Sequence, residues 1–412
     1  MTQKSDVKTK NGKPKYSKLP EKGSGNTGRT VRKPAGKSYL LNSQPNPELH
    51  SDPKAKTDAK SDILDLSFEE LKAEMTSLGE KSFRADQIAK WLYKGAASFE
   101  EMTDLSKSLI QKLDRHYTIG TLRQLKRLVS SDNQTIKYLY LLSDDNIIEC
   151  VVMKYYHGVT LCLSTQVGCA MGCSFCASTR GGRIRNLTAG EMTAQVLSVD
   201  RDLSGLGREQ IGGLVLMGCG EPLDNYANTL KFIRQIHDPK GSHMGYRNIT
   251  LSTCGLVPGM RALAEEGLSI NLAVSLHAPN DAIRRKIMKI AHAYSIKEVV
   301  DAGRYYFEKT GRRVTFEYIL IKGVNDRPEH ARELSALLKG FPCHINLIPL
   351  NENGHSRQKR SSEESIRRFE SELESAGKNV TRRREMGLDI QGACGQLKAA
   401  YSKNVQDGSR GV

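Results

Sequence analysis

Short apolar runs alternate with helical patterns from residue 158 onward, and this alternation restricts the chain to few folds. There are six runs, rich in β-branched and aliphatic residues: Val159–Leu163, Leu214–Met217, Asn248–Leu251, Ile270–Leu276, Val314–Ile321 and His344–Ile348. Helical patterns lie between most of them, including Ala282–Ile290 and Pro328–Leu338. Such alternation is typical of parallel βα units. The sequence therefore predicts an α/β fold, and six units favour an incomplete (β/α)6 barrel over an open doubly wound sheet.

Small or polar residues follow five of the six predicted strands. These segments begin at Cys169, Gly218, Ser252, Ser275 and Pro349. In βα barrels the chemistry lies at the C-terminal ends of the strands. Gly218 and Gly220 would let the backbone approach a ligand closely, and the Glu221 side chain could accept hydrogen bonds from an ammonium group or a ribose hydroxyl. Any one of these segments alone could be a turn or a cap, but together they predict a binding site at this end of the barrel.

The segment after the first strand holds three cysteines, Cys169, Cys173 and Cys176, at a CxxxCxxC spacing. Three thiolates can hold three irons of a 4Fe–4S cluster and leave the fourth iron open, whereas an electron-transfer cluster takes four thiolates. A structural zinc site usually needs four ligands from two close pairs. No other two of the nine cysteines are spaced as CxxC. The spacing therefore favours a 4Fe–4S cluster with an open iron over zinc.

Residues 1–60 differ in composition from the rest of the chain. They contain 14 Lys and Arg against 5 Asp and Glu, a net charge of +9 out of +16 for the whole chain. Their longest apolar run is Tyr39-Leu40-Leu41. Such a segment cannot bury enough apolar surface to offset its ordering entropy, so we predict a disordered basic tail. A tail of this kind either adds nonspecific attraction to phosphates or only keeps the protein in solution.

Three further regions complete the predicted organisation. A capping box at Ser67–Glu70 and an apolar stripe through Leu71 and Met75 predict a first helix, and two more helical patterns make residues 61–118 a small helical accessory domain. Strand patterns at Thr135–Leu142 and Ile147–Met153 make residues 119–157 a β-hairpin connector. Residues 158–400 would form the barrel, and residues 401–412 a flexible C-terminus.

The sequence also predicts a compartment. No apolar stretch approaches the roughly 20 residues that span a bilayer, and the N-terminus lacks the apolar core of a signal peptide. An odd number of cysteines without secretory marks argues against a disulfide scaffold. We therefore expect a cytoplasmic protein with reduced thiols and no membrane partner.

Longer strings add a resemblance to this picture. CxxxCxxC followed by Gly-Glu-Pro resembles the radical S-adenosylmethionine (SAM) enzymes. Five strings together resemble the RlmN-type adenine-C2 methyltransferases of the RlmN/Cfr family, which act on 23S rRNA and tRNA. The strings are Ser164–Cys169, Arg185–Glu191, Ser275–Asp281, Asn346–Pro349 and Ala393–Leu397. The resemblance runs from about residue 62 to residue 400 and leaves out the basic tail.

The resemblance implies a role for each matching residue. Cys169, Cys173 and Cys176 would ligate the 4Fe–4S cluster. Cys394 would carry the methyl group, Cys162 would resolve a covalent protein–RNA adduct, and Glu149 would accept a proton. The residues that would contact SAM are Gly220, Glu221, Ser252, Ser275, Leu276, His277 and Asn351.

The resemblance also implies partners for the reaction. Two SAM molecules would be consumed per turnover, one to methylate Cys394 and one to generate a radical. The enzyme would need an electron donor such as flavodoxin or ferredoxin, and a thiol reductant to reset a Cys162–Cys394 disulfide. A monomer is expected.

The residues leave several alternatives open. Cys162 lies in an apolar strand pattern, where a buried inert cysteine is usual. Basic residues after the cluster segment and near Cys394 could follow RNA phosphates or could be ordinary solvated surface. They are Arg180, Arg183, Arg185, Lys359, Arg360, Arg367, Arg368 and Arg382–Arg384.

At two places, Asp132–Thr135 and Lys289–His292, the sequence differs from the residues that are common in the family. Both differences bear on how the RNA is bound. Two other functions also remain open. The first is a Cfr-type enzyme that methylates adenine C8 and confers antibiotic resistance, because the catalytic cysteines are shared. The second is a zinc-stabilised RNA-binding protein without catalysis.

Overall fold

The computed structural model of the chain describes residues 60–120, 122–207, 210–352 and 356–397. Nearly all of the predicted basic tail and the predicted flexible C-terminus lie outside these residues. Across the described ranges, no helix is long and apolar enough to cross a membrane.

The first elements are three short helices with a core of their own. They are α1 (Phe68–Ser77), α2 (Arg84–Tyr93) and α3 (Lys107–His116), and two short strands, β1 (Ser61–Asp62) and β2 (Tyr117–Thr118), pair in parallel beside them. The predicted capping box is confirmed, since the Glu70 amide donates to Ser67 Oγ and the Ser67 amide to the Glu70 carboxylate. The third helix begins at Lys107, because Ser106 caps it by accepting a hydrogen bond from the Leu109 amide.

Three antiparallel strands follow where the sequence predicted two. They are β3 (Arg123–Val129), β4 (Thr135–Leu141) and β5 (Ile147–Tyr155), paired in that order. β5 then pairs with the first barrel strand, so the predicted connector is part of the main sheet. Sequence reasoning missed β3 because its Lys and Arg residues and its lack of buried side chains resemble a loop.

The remaining strands include all six that were predicted. They are β6 (Gly158–Cys162), β7 (Gln166–Gly168), β8 (Arg183–Asn186), β9 (Ile211–Leu216), β10 (Ile249–Thr253), β11 (Asn271–Ser275), β12 (Thr315–Leu320), β13 (His344–Pro349) and β14 (Val380–Arg382). β7 and β8 form a separate antiparallel pair. The others continue the sheet in parallel, in the order β14-β13-β12-β11-β10-β9-β6-β5-β4-β3. Since the edge strands β3 and β14 do not pair with each other in the described part of the chain, the barrel is incomplete, as predicted.

Seven helices accompany the parallel strands. They are α4 (Ala189–Gly205), α5 (Tyr226–His237), α6 (Val257–Glu265), α7 (Asp281–Ile287), α8 (Ile296–Thr310), α9 (Pro328–Leu337) and α10 (Glu363–Ser375). Side chains on one face of the strands are fully buried, among them Leu251, Phe316 and Ile345. Each such side chain contributes about 1.5–3 kcal/mol when it is removed from water. The alternate residues, such as Thr250, Asn271 and Thr315, border a cavity instead. The strands therefore pack one face in the core and present polar side chains on the other.

Candidate active site

The three-cysteine segment lies between the paired strands β7 and β8. The Cys169 amide donates a 3.0 Å hydrogen bond to the Gly182 carbonyl, and the Ser174 amide donates to the Ile287 carbonyl at 2.9 Å. Gly168 has a φ of +76°, and a Cβ there would lie 2.0 Å from the Gly182 carbonyl oxygen. The paired strands thus hold both ends of the segment, and only glycine fits at position 168.

Most of the predicted ligand-binding residues border one cavity of about 140 Å³, which we call the cluster cavity. The predicted residues that line it are Cys169, Cys173, Cys176, Gly220, Glu221, Ser252, Ser275, His277 and Cys394. They come from the cysteine segment, from the C-terminal ends of β9, β10 and β11, and from the C-terminal loop. The structure therefore brings together residues that lie up to 225 positions apart in the sequence.

The loop after β9 is fixed by glycines and by Glu221. A Cβ at Gly218 would lie 2.5 Å from the Leu163 carbonyl oxygen, and Gly220 has a φ of +117°. The buried Glu221 carboxylate accepts hydrogen bonds from the amides of Leu223 (3.1 Å) and Cys254 (2.7 Å). Burial raises the pKa of Glu221, and these donors act in the opposite direction. Glu221 therefore ties the end of β9 to the end of β10 within the cluster cavity.

His277 is a neutral hydrogen-bonding group. Burial, and secondarily the charge of Arg284, lowers the pKa of His277 to about 3. Its Nδ1 accepts a 3.0 Å hydrogen bond from the Ile319 amide, so the single ring proton belongs on Nε2. His277 thus offers the cavity a neutral donor, on a backbone with a φ of +58°.

A second cavity of about 60 Å³, which we call the thiol cavity, adjoins the first. Cys162, Asn351 and Cys394 line it, and Cys394 also borders the cluster cavity. Burial, and secondarily Cys394, raises the pKa of Cys162 to about 12. The structure therefore places Cys394 between the three-cysteine segment and Cys162.

All nine cysteines are free thiols in the structure. The Cys162–Cys394 disulfide that the resemblance implies is thus not present in this state. A reduced pair is the form that could begin a reaction, because only a thiol can accept a group on sulfur.

The loop that carries Cys394 is held against the cysteine segment. The Ala177 amide donates to the Gly395 carbonyl at 2.9 Å, and Ser178 Oγ donates to the Leu397 carbonyl at 2.9 Å. Asn351 Nδ2 donates to the Cys394 carbonyl at 3.2 Å. Asn351 Oδ1 is buried and has no hydrogen-bond partner among the described residues. A buried acceptor without a donor is costly, so this oxygen is suited to a ligand.

Two predicted residues line neither cavity. Glu149 on β5 is buried and forms an ion pair with Lys137 at 2.8 Å, and Lys137 Nζ also donates to the Gln391 carbonyl in the C-terminal loop. Leu276 is buried, and its amide donates to the Glu317 carbonyl. Lys137 therefore links Glu149 to the Cys394 loop, and Leu276 supports the backbone of the site.

Arg383 is a site residue that sequence reasoning missed. It borders both the cluster cavity and the thiol cavity, and Cys394 is the main cause of a raised pKa for its guanidinium. The signal was present in the run Arg382–Arg384, for which the sequence leaves phosphate contacts and ordinary solvated surface both open. Arg384 borders the thiol cavity as well, whereas the Arg382 guanidinium pairs with Glu363.

Most of the predicted RNA-contacting basic residues are ion-paired within the chain. Arg185 pairs with Glu191 at 2.7 Å and Arg368 with Glu364 at 2.5 Å. Arg360 pairs with Glu385, and Arg382 pairs with Glu363. These guanidinium groups would have to exchange a carboxylate for a phosphate, which weakens the case for a basic interface built from them.

The donor set fits a cluster and a bound amino-acid cofactor. Three thiols border one cavity, and within the described ranges no three Cys, His, Asp or Glu side chains are placed to hold a single metal ion. In a cubane each thiolate binds a different iron, so the thiols need to surround a volume and not a point. Glu221, His277 and Asn351 then supply polar groups around that volume.

Comparisons with known proteins agree with this geometry. Two family models match the chain: the ribosomal RNA large subunit methyltransferase N-terminal domain at residues 61–119 and the radical SAM superfamily at residues 163–334. The chain is 53% identical over 345 residues to a probable dual-specificity RNA methyltransferase RlmN of Alkaliphilus oremlandii, covering 84% of the chain and 99% of that protein. It is 54% identical over 344 residues to its counterpart in Lachnoclostridium phytofermentans, covering 83% and 96%.

A solved structure is also similar. The crystal structure of a radical SAM methyltransferase from Sphaerobacter thermophilus aligns with a TM-score of 0.80 at 44% sequence identity. The alignment covers 82% of this chain and 99% of that chain. The similarity therefore extends over both the helical region and the barrel.

Proposed function

The chain belongs to the RlmN family of radical SAM RNA methyltransferases, and from this premise we propose that it methylates C2 of an adenosine in 23S rRNA and in tRNA. The observation that carries the proposal is the position of Cys394. It borders the cavity of the three cluster cysteines on one side and the cavity of Cys162 on the other. A methyl carrier needs access to both a methyl donor and a resolving thiol.

Membership of the family implies a 4Fe–4S cluster and SAM. We propose that Cys169, Cys173 and Cys176 hold the cluster, and that Glu221, His277 and the unpaired Oδ1 of Asn351 bind SAM. When bound, the cluster and two SAM molecules per turnover would supply a methyl group and, after one-electron reduction by a flavodoxin or ferredoxin, a hydrogen-abstracting radical.

Cys394 would act first. Its sulfur accepts a methyl group, so the S–H bond is replaced by an S–CH3 bond and the thiol proton is released. Arg383 borders the same two cavities as Cys394, so its positive charge lies beside the reacting sulfur. Loss of one hydrogen atom from the methyl group then leaves a carbon radical on Cys394. This radical can add to adenine C2, which is electron-poor and bears no acidic proton.

Cys162 would release the product. The adduct radical would pass one electron back to the oxidised cluster and release the C2 hydrogen as a proton, so that the base remains joined to Cys394 through a methylene group. The Cys162 thiolate attacks the Cys394 sulfur, a disulfide forms, and the carbon leaves with the electron pair and takes up a proton. We propose that Glu149, through its ion pair with Lys137, takes part in these proton transfers. A thiol reductant returns both cysteines to the free state.

All the groups proposed to react belong to one chain, so we expect the monomer to be active. We also propose that the reaction takes place in the cytoplasm.

Mass spectrometry of nucleosides from treated RNA tests this function. The anaerobically purified and reduced protein should convert adenosine in 23S rRNA fragments and in tRNA to 2-methyladenosine. A main product of 8-methyladenosine would instead indicate a Cfr-type enzyme. Iron and sulfide analysis of the same sample is the control, because one equivalent of zinc without sulfide and no methylated base would favour an RNA-binding protein.

A further inference from the structure

A third cavity, about 590 Å³ in volume, lies inside the barrel and adjoins the cluster cavity. Its lining continues along the same strands, since Thr250 precedes Ser252 on β10 and Thr315 precedes Glu317 on β12. Met217, Glu317 and Arg383 border both cavities. Inward-facing residues alternate along a barrel strand, so one space extends from the N-terminal ends of the strands to the cluster cavity. Its size falls within the range of about 300–1,000 Å³ for small-molecule sites. We call it the lumen cavity.

Glu317 stands at the junction of the two cavities. Its side chain is 4% exposed, and its Oε2 accepts a 2.9 Å hydrogen bond from Asn346 Nδ2. Asn346 is itself fixed by Thr381 Oγ1, which donates to its Oδ1 at 3.3 Å. A buried carboxylate must receive hydrogen bonds to offset its lost hydration. Glu317 is therefore a preoriented acceptor that none of the steps proposed above uses.

Arg312 stands at the opposite end of the lumen cavity, just before β12. Its guanidinium donates to Asn271 Oδ1, and its Nε is buried without a hydrogen-bond partner among the described residues. Arg313 lies beside it in the same lining. An unpaired guanidinium donor at a cavity mouth is suited to an anion, and phosphate is the anion that arginine binds in a nucleic acid.

We propose that the target nucleotide enters the lumen cavity, a proposal that rests on the proposed function. There Glu317 accepts a hydrogen bond from the exocyclic amine of adenine, and Arg312 binds an adjoining phosphate. Base-modifying enzymes extrude the base and read its Watson–Crick edge. The amine and C2 lie on that same edge, so an amine on Glu317 keeps C2 at the junction with the cluster cavity. Guanine carries an oxygen at the amine position, which the Glu317 carboxylate would repel.

A substrate analogue that lacks the amine tests the Glu317 contact. An RNA hairpin that the wild type methylates is compared with one that carries purine ribonucleoside at the target position. We expect the wild type to prefer adenosine by roughly 10- to 150-fold in kcat/KM, the range for a hydrogen bond to a charged group. In Glu317→Ala the preference should fall to within about threefold, because the amine has lost its charged acceptor.

The preference is the ratio of kcat/KM for the adenosine hairpin to kcat/KM for the purine hairpin, and it is measured within each variant. Partial loss of folded protein therefore does not affect it. Glu317→Gln retains the volume and one acceptor oxygen and should keep an intermediate preference. Glu308→Ala removes an exposed carboxylate from α8 and should keep the full preference. An undiminished preference in Glu317→Ala, or no preference in the wild type, would overturn the inference and leave the proposed function standing. If the wild type methylates no adenosine, both the inference and the proposed function are wrong.

The phosphate contact has its own readout. Arg312→Ala should weaken RNA binding and reduce the slope of log affinity against log salt by about 1. An unchanged slope would show that Arg312 does not bind a phosphate of the RNA.

Discussion

At the scale of single residues, the site depends on two thiols in different surroundings. Cys162 lies on a strand among apolar side chains, and burial raises its pKa to about 12. Cys394 lies on a loop between two cavities and beside the guanidinium of Arg383. The proposed carrier thus has a cation beside it, whereas burial disfavours the thiolate of Cys162. This asymmetry fits an order of events in which Cys394 reacts first.

Replacing Cys162 should trap the covalent intermediate. In Cys162→Ala the base is joined to Cys394 but no thiol can cleave the link, so a stoichiometric protein–RNA adduct should accumulate and turnover should stop. Denaturing electrophoresis with labelled RNA detects the adduct, and peptide mass spectrometry assigns it to Cys394. Cys343→Ala is the matched control, since Cys343 lines neither cavity. Normal turnover by Cys162→Ala would refute the resolving role.

Gly220 should tolerate no side chain. A Cβ there would lie 2.6 Å from Thr165 Oγ1 and 2.8 Å from the Gln166 amide nitrogen, on a backbone with a φ of +117°. We expect Gly220→Ala to cost about 2–4 kcal/mol of stability and to displace Glu221. Denaturant unfolding and SAM affinity by calorimetry measure the two effects.

Gly267→Ala separates conformational strain from steric clash. Gly267 also has a positive φ, of +68°, but nothing lies within 4 Å of its Cβ position. This variant should lose only about 1 kcal/mol and keep its SAM affinity. Equal losses in the two variants would show that crowding around Gly220 is unimportant.

At the scale of elements, the sequence was most informative where a strand is buried on one face. All six predicted barrel strands are present because their apolar residues alternate or run continuously between turn residues. β14 escaped prediction because its three residues, Val380-Thr381-Arg382, are too short and too polar to show a period. β14 matters for the site, since it positions Arg383.

The cavities could not be predicted for a different reason. Motif strings led to Cys169, Cys394 and most of the residues proposed to contact SAM, because close spacing or a family pattern carries them. Glu317 and Arg312 belong to no such string. Their roles depend on which side chains face inward and on what remains unpaired after packing, and these are properties of the assembled sheet.

The first element of the helical region should make stability depend on pH. Burial raises the pKa of Asp62 to about 6, although the amides of Leu64 and Gly120 donate to its Oδ1. A raised carboxyl pKa means that the folded state holds its proton more tightly than the unfolded state. The free energy of unfolding therefore falls as pH rises from about 4 to about 6, and it stays lower above that window.

Asp62→Asn removes this titration and keeps the acceptor for both amides. We expect it to raise the free energy of unfolding by about 1–2 kcal/mol at pH 7.5 and by roughly half as much at pH 5. Urea unfolding at the two pH values measures the difference. Asp114→Asn removes an exposed carboxylate from α3 and is the control for the loss of one negative charge. A gain for Asp62→Asn that does not grow with pH would contradict the assignment.

At the scale of the whole molecule, charge is distributed unequally between the tail and the rest of the chain. Residues 1–60 carry +9 and the remaining residues carry +7, because 48 Lys and Arg there stand against 41 Asp and Glu. Several of the basic residues near the site are already paired with carboxylates. These cations near the site are therefore already committed to carboxylates, and the tail holds more than half of the net charge.

Removing residues 1–59 should weaken RNA binding without changing the product. Each phosphate contact that the tail makes releases counterions, so its loss lowers affinity and flattens the dependence of affinity on salt. The residues that face the three cavities all lie beyond the tail, so 2-methyladenosine should remain the product. Fluorescence anisotropy at several salt concentrations measures the slope, and a full-length variant with the tail Lys and Arg changed to Gln separates charge from length. Unchanged affinity and slope in both variants would leave the tail only a solubilising role.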